Sequence, residues 1–349
     1  MVNGKRRSQV SVLSDPWEVF EVDFPKTRDA GEKLHFLLNY AVLAPSGHNT
    51  QPWLFKVRNG EVELYADRTR GLPVVDPEDR ALVISCGAAL FNLRVAVRHF
   101  GYAYEVQTFP DPDEPDLLAR VRLGPEQEAT GEEELLFEAL KERHSNREPF
   151  EVRQVPGRIL SALQAAAWEE GAWLYLVQDE AAKHALAELI AEGDRIQLAD
   201  KRFRTELASW VHPNRTKSRD GIPGYAFGFG DVMSLAGPFV IRTFDTGKGQ
   251  AAKDRQLAEG SPVLAVLGTE GDTPADWLAA GQALARILLR ARAEGVWGSF
   301  LNQPIEVSEL RPRVRETVEE AGFPQLLLRM GYGQEVRPTP RRAIEEVLR

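Results

Sequence analysis

Apolar residues at Leu34, Leu37, Leu38 and Ala41 fall on one helix face, which predicts a helix over 34–43. Pro45 ends it, because a proline disfavours helical backbone in the residue before it. Leu54 to Val57 reads as a strand closed by the turn pair Asn59-Gly60, and Val62 to Tyr65 reads as the returning arm of a hairpin. A charged, proline-bearing connection over 67–79 leads to a strongly apolar helix over 81–100, with Gly101 as its left-handed cap. Residues 105–108 and 119–122 alternate like strands around a surface turn at 110–115, and an acidic helix over 132–142 follows. A second apolar helix, 277–294, ends at Gly295. Residues 1–30 are polar and irregular, with Trp17 and Phe20 expected to pack locally.

The pattern repeats. Gly87, Ala89, Leu90, Leu93, Arg98 and Gly101 align with Gly281, Ala283, Leu284, Ile287, Arg292 and Gly295 at one offset, 194. Trp53, Phe55 and Val57 align with Trp173, Tyr175 and Val177 at 120, and Arg122 to Gly124 with Arg329 to Gly331 at 207. Helix, strand, helix and strand recur in the same order, which favours a duplication. The jump from 120 to 194 puts about 74 extra residues into the second copy, within roughly 177–281. That stretch holds Gly221, Gly224, Gly228, Gly230 and Gly237 interleaved with Tyr225, Phe227 and Phe229. Two readings of it stand: a lid over a planar ligand, or a glycine-rich surface loop with no special role.

Composition narrows the function. The 349 residues suffice for one large or two ordinary domains, and 43% hydrophobic with 27% charged residues fits a soluble globular chain. A net charge of −9 argues against nucleic acid as a partner while allowing a local basic pocket for one phosphate. Cys86, the single cysteine, excludes an internal disulfide and reads as a core residue; the six histidines show no metal-ligand spacing, so no metal is expected. No uninterrupted apolar run suggests a spanning helix, so no membrane partner is expected. Lys5-Arg6-Arg7-Ser8 lacks a following apolar region and reads as a basic tip on a cytoplasmic protein.

Two polar stretches interrupt the apolar pattern. Ala44-Pro-Ser-Gly-His-Asn-Thr-Gln-Pro-Trp53 is a tight loop between helix and strand. Its Ser46, His48, Asn49 and Gln51 either face a polar ligand or make a self-bonded turn. Arg143-His-Ser-Asn-Arg147 puts two guanidiniums and a hydroxyl within five residues. They either grip a phosphate or form a solvated turn with Arg143 paired to Glu138 or Glu142. The second copy replaces the polar loop with Ala167 to Trp173, which carries Glu169 and Glu170, poor company for a phosphate.

The loop Pro-Ser-Gly-His-Asn-Thr-Gln-Pro-Trp resembles the Pro-Ser-x-x-Asn-x-Gln-Pro-Trp loop of the FMN-dependent nitroreductase family. Residues 143–150 resemble that family's Arg-x-Ser-x-Arg-x-Phe opening. The fused halves, the loop histidine and the glycine-rich segment resemble the Acg-type, mycobacterial-like branch, over roughly residues 30–345.

The resemblance implies an α+β fold: a nitroreductase-like unit duplicated within one chain as a pseudo-dimer, with long central helices and a mixed, mainly antiparallel sheet per half. The expected division is a tail over 1–30, a first half over 31–130, and a second half over 143–349. The second half carries a lid insertion at about 205–240 and a C-terminal arm. It implies an FMN site built from Pro45, Ser46, Gly47, His48, Asn49 and Gln51 of the loop and from Arg143, His144, Ser145 and Arg147. Ser299, Phe300, Leu301 and Asn302 would lie beside the flavin after the second apolar helix, and Arg341 would supply a further phosphate-binding base. Arg68, Arg70 and Arg94 are open candidates for a cation near flavin N1. No side chain is named as catalytic. The implied function is an oxidoreductase passing hydride from NAD(P)H through FMN to a nitroaromatic or quinone by a ping-pong reaction, with small molecules as partners and a monomer as the unit. The alternative is a flavin-binding or flavin-sequestering protein with a closed lid and little turnover.

Overall fold

The computed structural model describes residues 15–349; the basic stretch 5–8 lies outside them. The first sheet contains β1 (Trp53–Arg58), β2 (Glu61–Ala66), β3 (Tyr102–Thr108) and β4 (Leu117–Glu126), in the order β1-β2-β4-β3. Every pairing in it is antiparallel. Asn59 (φ 52°) and Gly60 (φ 76°) make the tight turn that fixes the β1–β2 register. The second sheet contains β5 (Trp173–Val177), β8 (Val263–Thr269), β9 (Trp297–Phe300) and β10 (Phe323–Gly331). Its order, β5-β8-β10-β9, is the first sheet's order over again, and it too is antiparallel throughout. Isolated parallel bridges extend both sheets, Phe55–Leu348 beside β1 and Ser145–Gly298 beside β9.

The helices repeat as well. α1 (Ala30–Ala41) precedes β1 as α4 (Gly157–Glu169) precedes β5, and α2 (Arg80–His99) stands before β3 as α9 (Pro274–Ala293) stands before β9. α3 (Gly131–Glu142) joins the halves behind a Thr130–Glu133 capping box. α2 and α9 cross at the centre, where a Cβ on Gly87 would fall 2.2 Å from the Leu278 carbonyl oxygen and one on Gly281 would fall 2.0 Å from that of Ile84. Those two contacts are related by the same 194-residue offset. Only glycine lets the helices approach this closely. α2 is long and apolar enough to cross a membrane, but 89% of that stretch is buried inside the protein.

The halves differ between their first two strands. β1 and β2 are joined by a turn, whereas residues 178–262 separate β5 from β8. They form α5 (Glu180–Ala199), α6 (Lys201–Trp210), β6 (Val211–His212), β7 (Ile222–Pro223), α7 (Asp231–Thr243) and α8 (Gly247–Gly260). This stretch falls within the roughly 177–281 where about 74 extra residues are expected, and it contains the expected lid over 205–240. α5 and α8 belong to the body: Leu186, Leu189, Ile190 and Ala258 pack on the second face of the sheet against Leu264, Val266 and Leu327. β8 is consequently buried at every residue. The glycine-rich stretch is also less loop-like than expected, since its end forms most of α7.

Residues 15–29 are not a loose tail. Phe24 is 6% exposed in the core, and Trp17 donates its indole N–H to the Thr339 carbonyl (3.1 Å). Phe20, expected to pack, is 66% exposed. Cys86 is buried.

Candidate functional site

α1 ends at Ala41, and the chain turns through Leu43, Ala44 and Pro45 into a 3-10 turn, Gly47–Asn49. Three non-glycine residues there hold left-handed backbone: His48 (φ 49°), Asn49 (φ 55°) and Gln51 (φ 52°). Such conformations cost about 1–3 kcal/mol each and persist where surrounding contacts over-determine them. Those contacts are present. Gln51 N donates to Ser46 Oγ (2.9 Å) and Gly221 N to the Asn49 carbonyl (3.1 Å). Asn49 Nδ2 donates to the carbonyls of Gly221 (2.9 Å) and Pro340 (3.1 Å). Gln51 is fully buried; its Nε2 donates to the Arg219 carbonyl (2.8 Å) and its Oε1 accepts from Arg342 N (2.8 Å). The amides of Asn49 and Gln51 therefore fasten the loop to the insertion and to the C-terminal arm.

The arginines converge on the same loop. Arg143 Nη2 donates to the Leu43 carbonyl (3.0 Å), and Arg341 Nη2 donates to the same oxygen (3.3 Å). Arg341 Nη1 reaches Asn49 Oδ1 (3.0 Å). Both guanidiniums are about 95% buried, both leave Nε without a partner, and neither meets a carboxylate among the described residues. Glu142 pairs instead with Arg292. Burial holds Arg143 down to about 10; burial, then Arg143, holds Arg341 down to about 9. Uncompensated buried cations cost several kcal/mol each. A phosphate-like anion would remove that cost through charge-assisted bonds.

His144 stands edge-on to Trp17 (4.9 Å) and stacks on Trp297 (6.5 Å). Burial first, then Arg143, Arg341 and Arg292, drives it down to about 3, so it is neutral. Ser145 bridges Gly298, and Asn146 N donates to the Gly298 carbonyl (3.2 Å), which brings residues 143–147 beside β9. Arg147 is half-buried and lowered by burial; His48 is lowered to about 4 by burial and by Arg147, and its Nε2 is buried without a partner. Ser299 lies buried opposite Arg329. Phe300 packs on the main core, Leu301 lies in the outer core, and Asn302 Oδ1 accepts from Leu327 N (2.9 Å). The Leu301 and Asn302 side chains are thus committed to the fold.

Arg68, Arg70 and Arg94 are spent on carboxylates, respectively Asp79 with Asp116, Asp220, and Glu170. At the end of α4, where the second half has no polar loop, Glu170 pairs with Arg94 and Arg286 and Glu169 with Arg286. Sequence reading expected Trp17 only to pack locally and missed its place at the site, where its ring lies 5.3 Å under Arg341. It also missed the Leu43 carbonyl and the insertion backbone at Arg219 and Gly221; nothing in a side-chain pattern marks a carbonyl as an acceptor. An open cleft of about 570 Å³ lies elsewhere, between Pro73 and the Trp210 end of α6, and none of the expected residues lines it.

No family model matches the chain. The Mycobacterium tuberculosis protein provisionally named NAD(P)H nitroreductase Rv3131 is 32% identical over 91% of both chains. Acg from the same organism, also provisionally named an NAD(P)H nitroreductase, is 27% identical over 93% of this chain and 97% of its own. Among solved structures, the FMN-dependent nitroreductase NfnB of Mycobacterium smegmatis is 18% identical over 62% of this chain and 97% of its own, with a TM-score of 0.40. By its likeness to the tuberculosis proteins along nearly its whole length, the chain belongs to the Acg-type nitroreductase family.

Proposed function

We propose that the chain is an FMN-binding, NAD(P)H-dependent oxidoreductase with one flavin site per polypeptide. The site is shared between the halves of an internal duplication, one over 31–130 and the other over 143–349. The observation that carries this reading is the pair Arg143 and Arg341, two buried guanidiniums on one carbonyl with no carboxylate beside them among the described residues. They fit a flavin's phosphate, with Ser145 adding a hydroxyl. The strained loop over residues 46–51 closes one side of the site, and the stretch after α9 closes the other. The bound flavin supplies reversible hydride acceptance, which suits a ping-pong exchange between NAD(P)H and a nitroaromatic or quinone. The chain's own contribution is binding, orientation and exclusion of water. His48 and His144, kept neutral by burial and by neighbouring arginines, add no charge to a site that already carries several. The test is anaerobic stopped-flow mixing of the flavin-loaded protein with NADH and with NADPH. Bleaching of the flavin band by either donor is expected; a band unchanged by both would end the enzyme reading.

The strap between insertion and loop favours a second reading, a flavin-holding protein with little turnover. Gly221 bonds Asn49 in both directions, Arg70 pairs with Asp220, and Tyr225 Oη donates to the Pro338 carbonyl (2.6 Å). Under that reading Asp220→Ala loosens the strap and speeds both flavin release and reduction. Equal rates in the variant and the parent would remove the strap from the account.

A further inference from the structure

We propose that α7 is a docking face for an anionic lipid surface. Val232, Leu235, Ala236 and Phe239 follow the i, i+3, i+4, i+7 spacing of a helix face meant to be covered. Here that face looks outward. Val232 is 81% exposed, Leu235 70%, Phe239 58%, with Met233 and Phe244 exposed beside them.

The orientation is fixed from beneath. The inner face presents Ser234 and Gly237, both buried. Ser234 Oγ accepts from Asn214 N (3.1 Å), and a Cβ on Gly224 would fall 2.5 Å from Ser234 Cβ. Asn214 Nδ2 donates to the Phe229 carbonyl (2.9 Å), and the Phe229 ring lies against Gly237. A helix seated through its small residues cannot roll to bury its large ones without losing these contacts.

Charge and size select the occupant. Residues 215–248 carry five Lys and Arg against three Asp, in a chain whose net charge is −9. Exposed Lys217, Arg242 and Lys248 have no carboxylate partner among the described residues, and Arg242 lies one turn beyond Phe239 on the same face. A stable protein interface needs about 800 Å² and roughly 20–30 residues a side, more than one 13-residue helix offers. A bilayer needs no complementary groove. It accepts an apolar stripe at the acyl boundary, with basic residues at the headgroups. This departs from the sequence-based expectation of no membrane partner, because the stripe is too short to register as a span.

The test is flotation of the full chain with phosphatidylcholine vesicles, with and without phosphatidylglycerol, at low and high salt. Binding to the anionic vesicles that weakens with salt is expected. Arg242→Ala should weaken it about fivefold. Leu235→Asp with Phe239→Asp should abolish it while leaving the melting temperature unchanged, since both side chains are exposed. No partition of the parent chain would overturn the proposal, as would equal partition by the double variant. A parent dimer in sedimentation that the double variant dissolves, without vesicle binding, would assign the face to a second copy instead. Flavin content does not enter the measurement, so its outcome is separate from the oxidoreductase reading.

Discussion

Arg143 and Arg341 stand where stability and ligand binding oppose each other. Arg143→Met removes a buried cation whose one side-chain bond among the described residues is to the Leu43 carbonyl. We expect the flavin-free chain to melt no lower than the parent, while FMN affinity falls roughly ten- to a hundredfold, as for loss of one charged hydrogen bond; thermal melts and flavin-fluorescence titration read the two effects separately. Arg147→Ala should likewise weaken FMN binding with the fold intact. Asp194 and Asp254 show the same opposition in carboxylates. Both accept from Gln303 Nε2 (3.1 and 2.9 Å), and burial raises both, with Asp254 raising Asp194 further. The native state therefore keeps a proton that the unfolded chain releases. Stability falls as pH rises through and above the ordinary carboxylate range, and Asp194→Asn should flatten that fall in urea titrations run at a series of pH values. At this scale the sequence was half legible. The residue types of the loop and of the arginine segment pointed to one place, and the structure brings them together. What their atoms do was not legible: for Asn49 and Gln51 a ligand contact and a self-bonded turn stood open, and their amides bond to backbone at Gly221, Arg219 and Arg342. Trp17, expected only to pack locally, could not be placed at the site, because its partner Thr339 is 322 residues away.

At the scale of elements, the α2–α9 crossing joins the halves. Gly87→Ala gains about 1 kcal/mol of helix propensity, but its Cβ would sit 2.2 Å from a carbonyl oxygen that cannot turn aside. Overpacking costs about 1–3 kcal/mol, so the urea midpoint should fall. Gly131→Ala, whose Cβ would meet nothing within 4 Å, is the control and should not lower it. The two central helices and the first hairpin were readable because hydrophobic periodicity, the Asn59-Gly60 turn and the 194-residue offset agree. α7 was not. Gly237 and Pro238 interrupt its pattern, and its apolar stripe faces away from the core that periodicity is used to find.

At the scale of the molecule, the two sheets share one strand order, but only the first is preceded by the polar loop. The place of the other loop is taken by Glu169 and Glu170 paired with Arg94 and Arg286. One flavin per chain is therefore expected, measured as flavin absorbance against protein concentration; two per chain, or a protein that stays colourless with added FMN, would contradict the shared-site reading. Asn49 and Arg341, bonded at 3.0 Å, stand 292 positions apart. At about 5–20 residues per second, the ribosome delivers the first roughly a quarter of a minute to a minute before the second. Through that interval the left-handed turn at His48 and Asn49 has neither Gly221 nor Pro340 to hold it for most of the time. On the shared-site reading, cofactor acceptance waits until Arg341 has been made, and nascent chains arrested before position 340 should emerge without flavin.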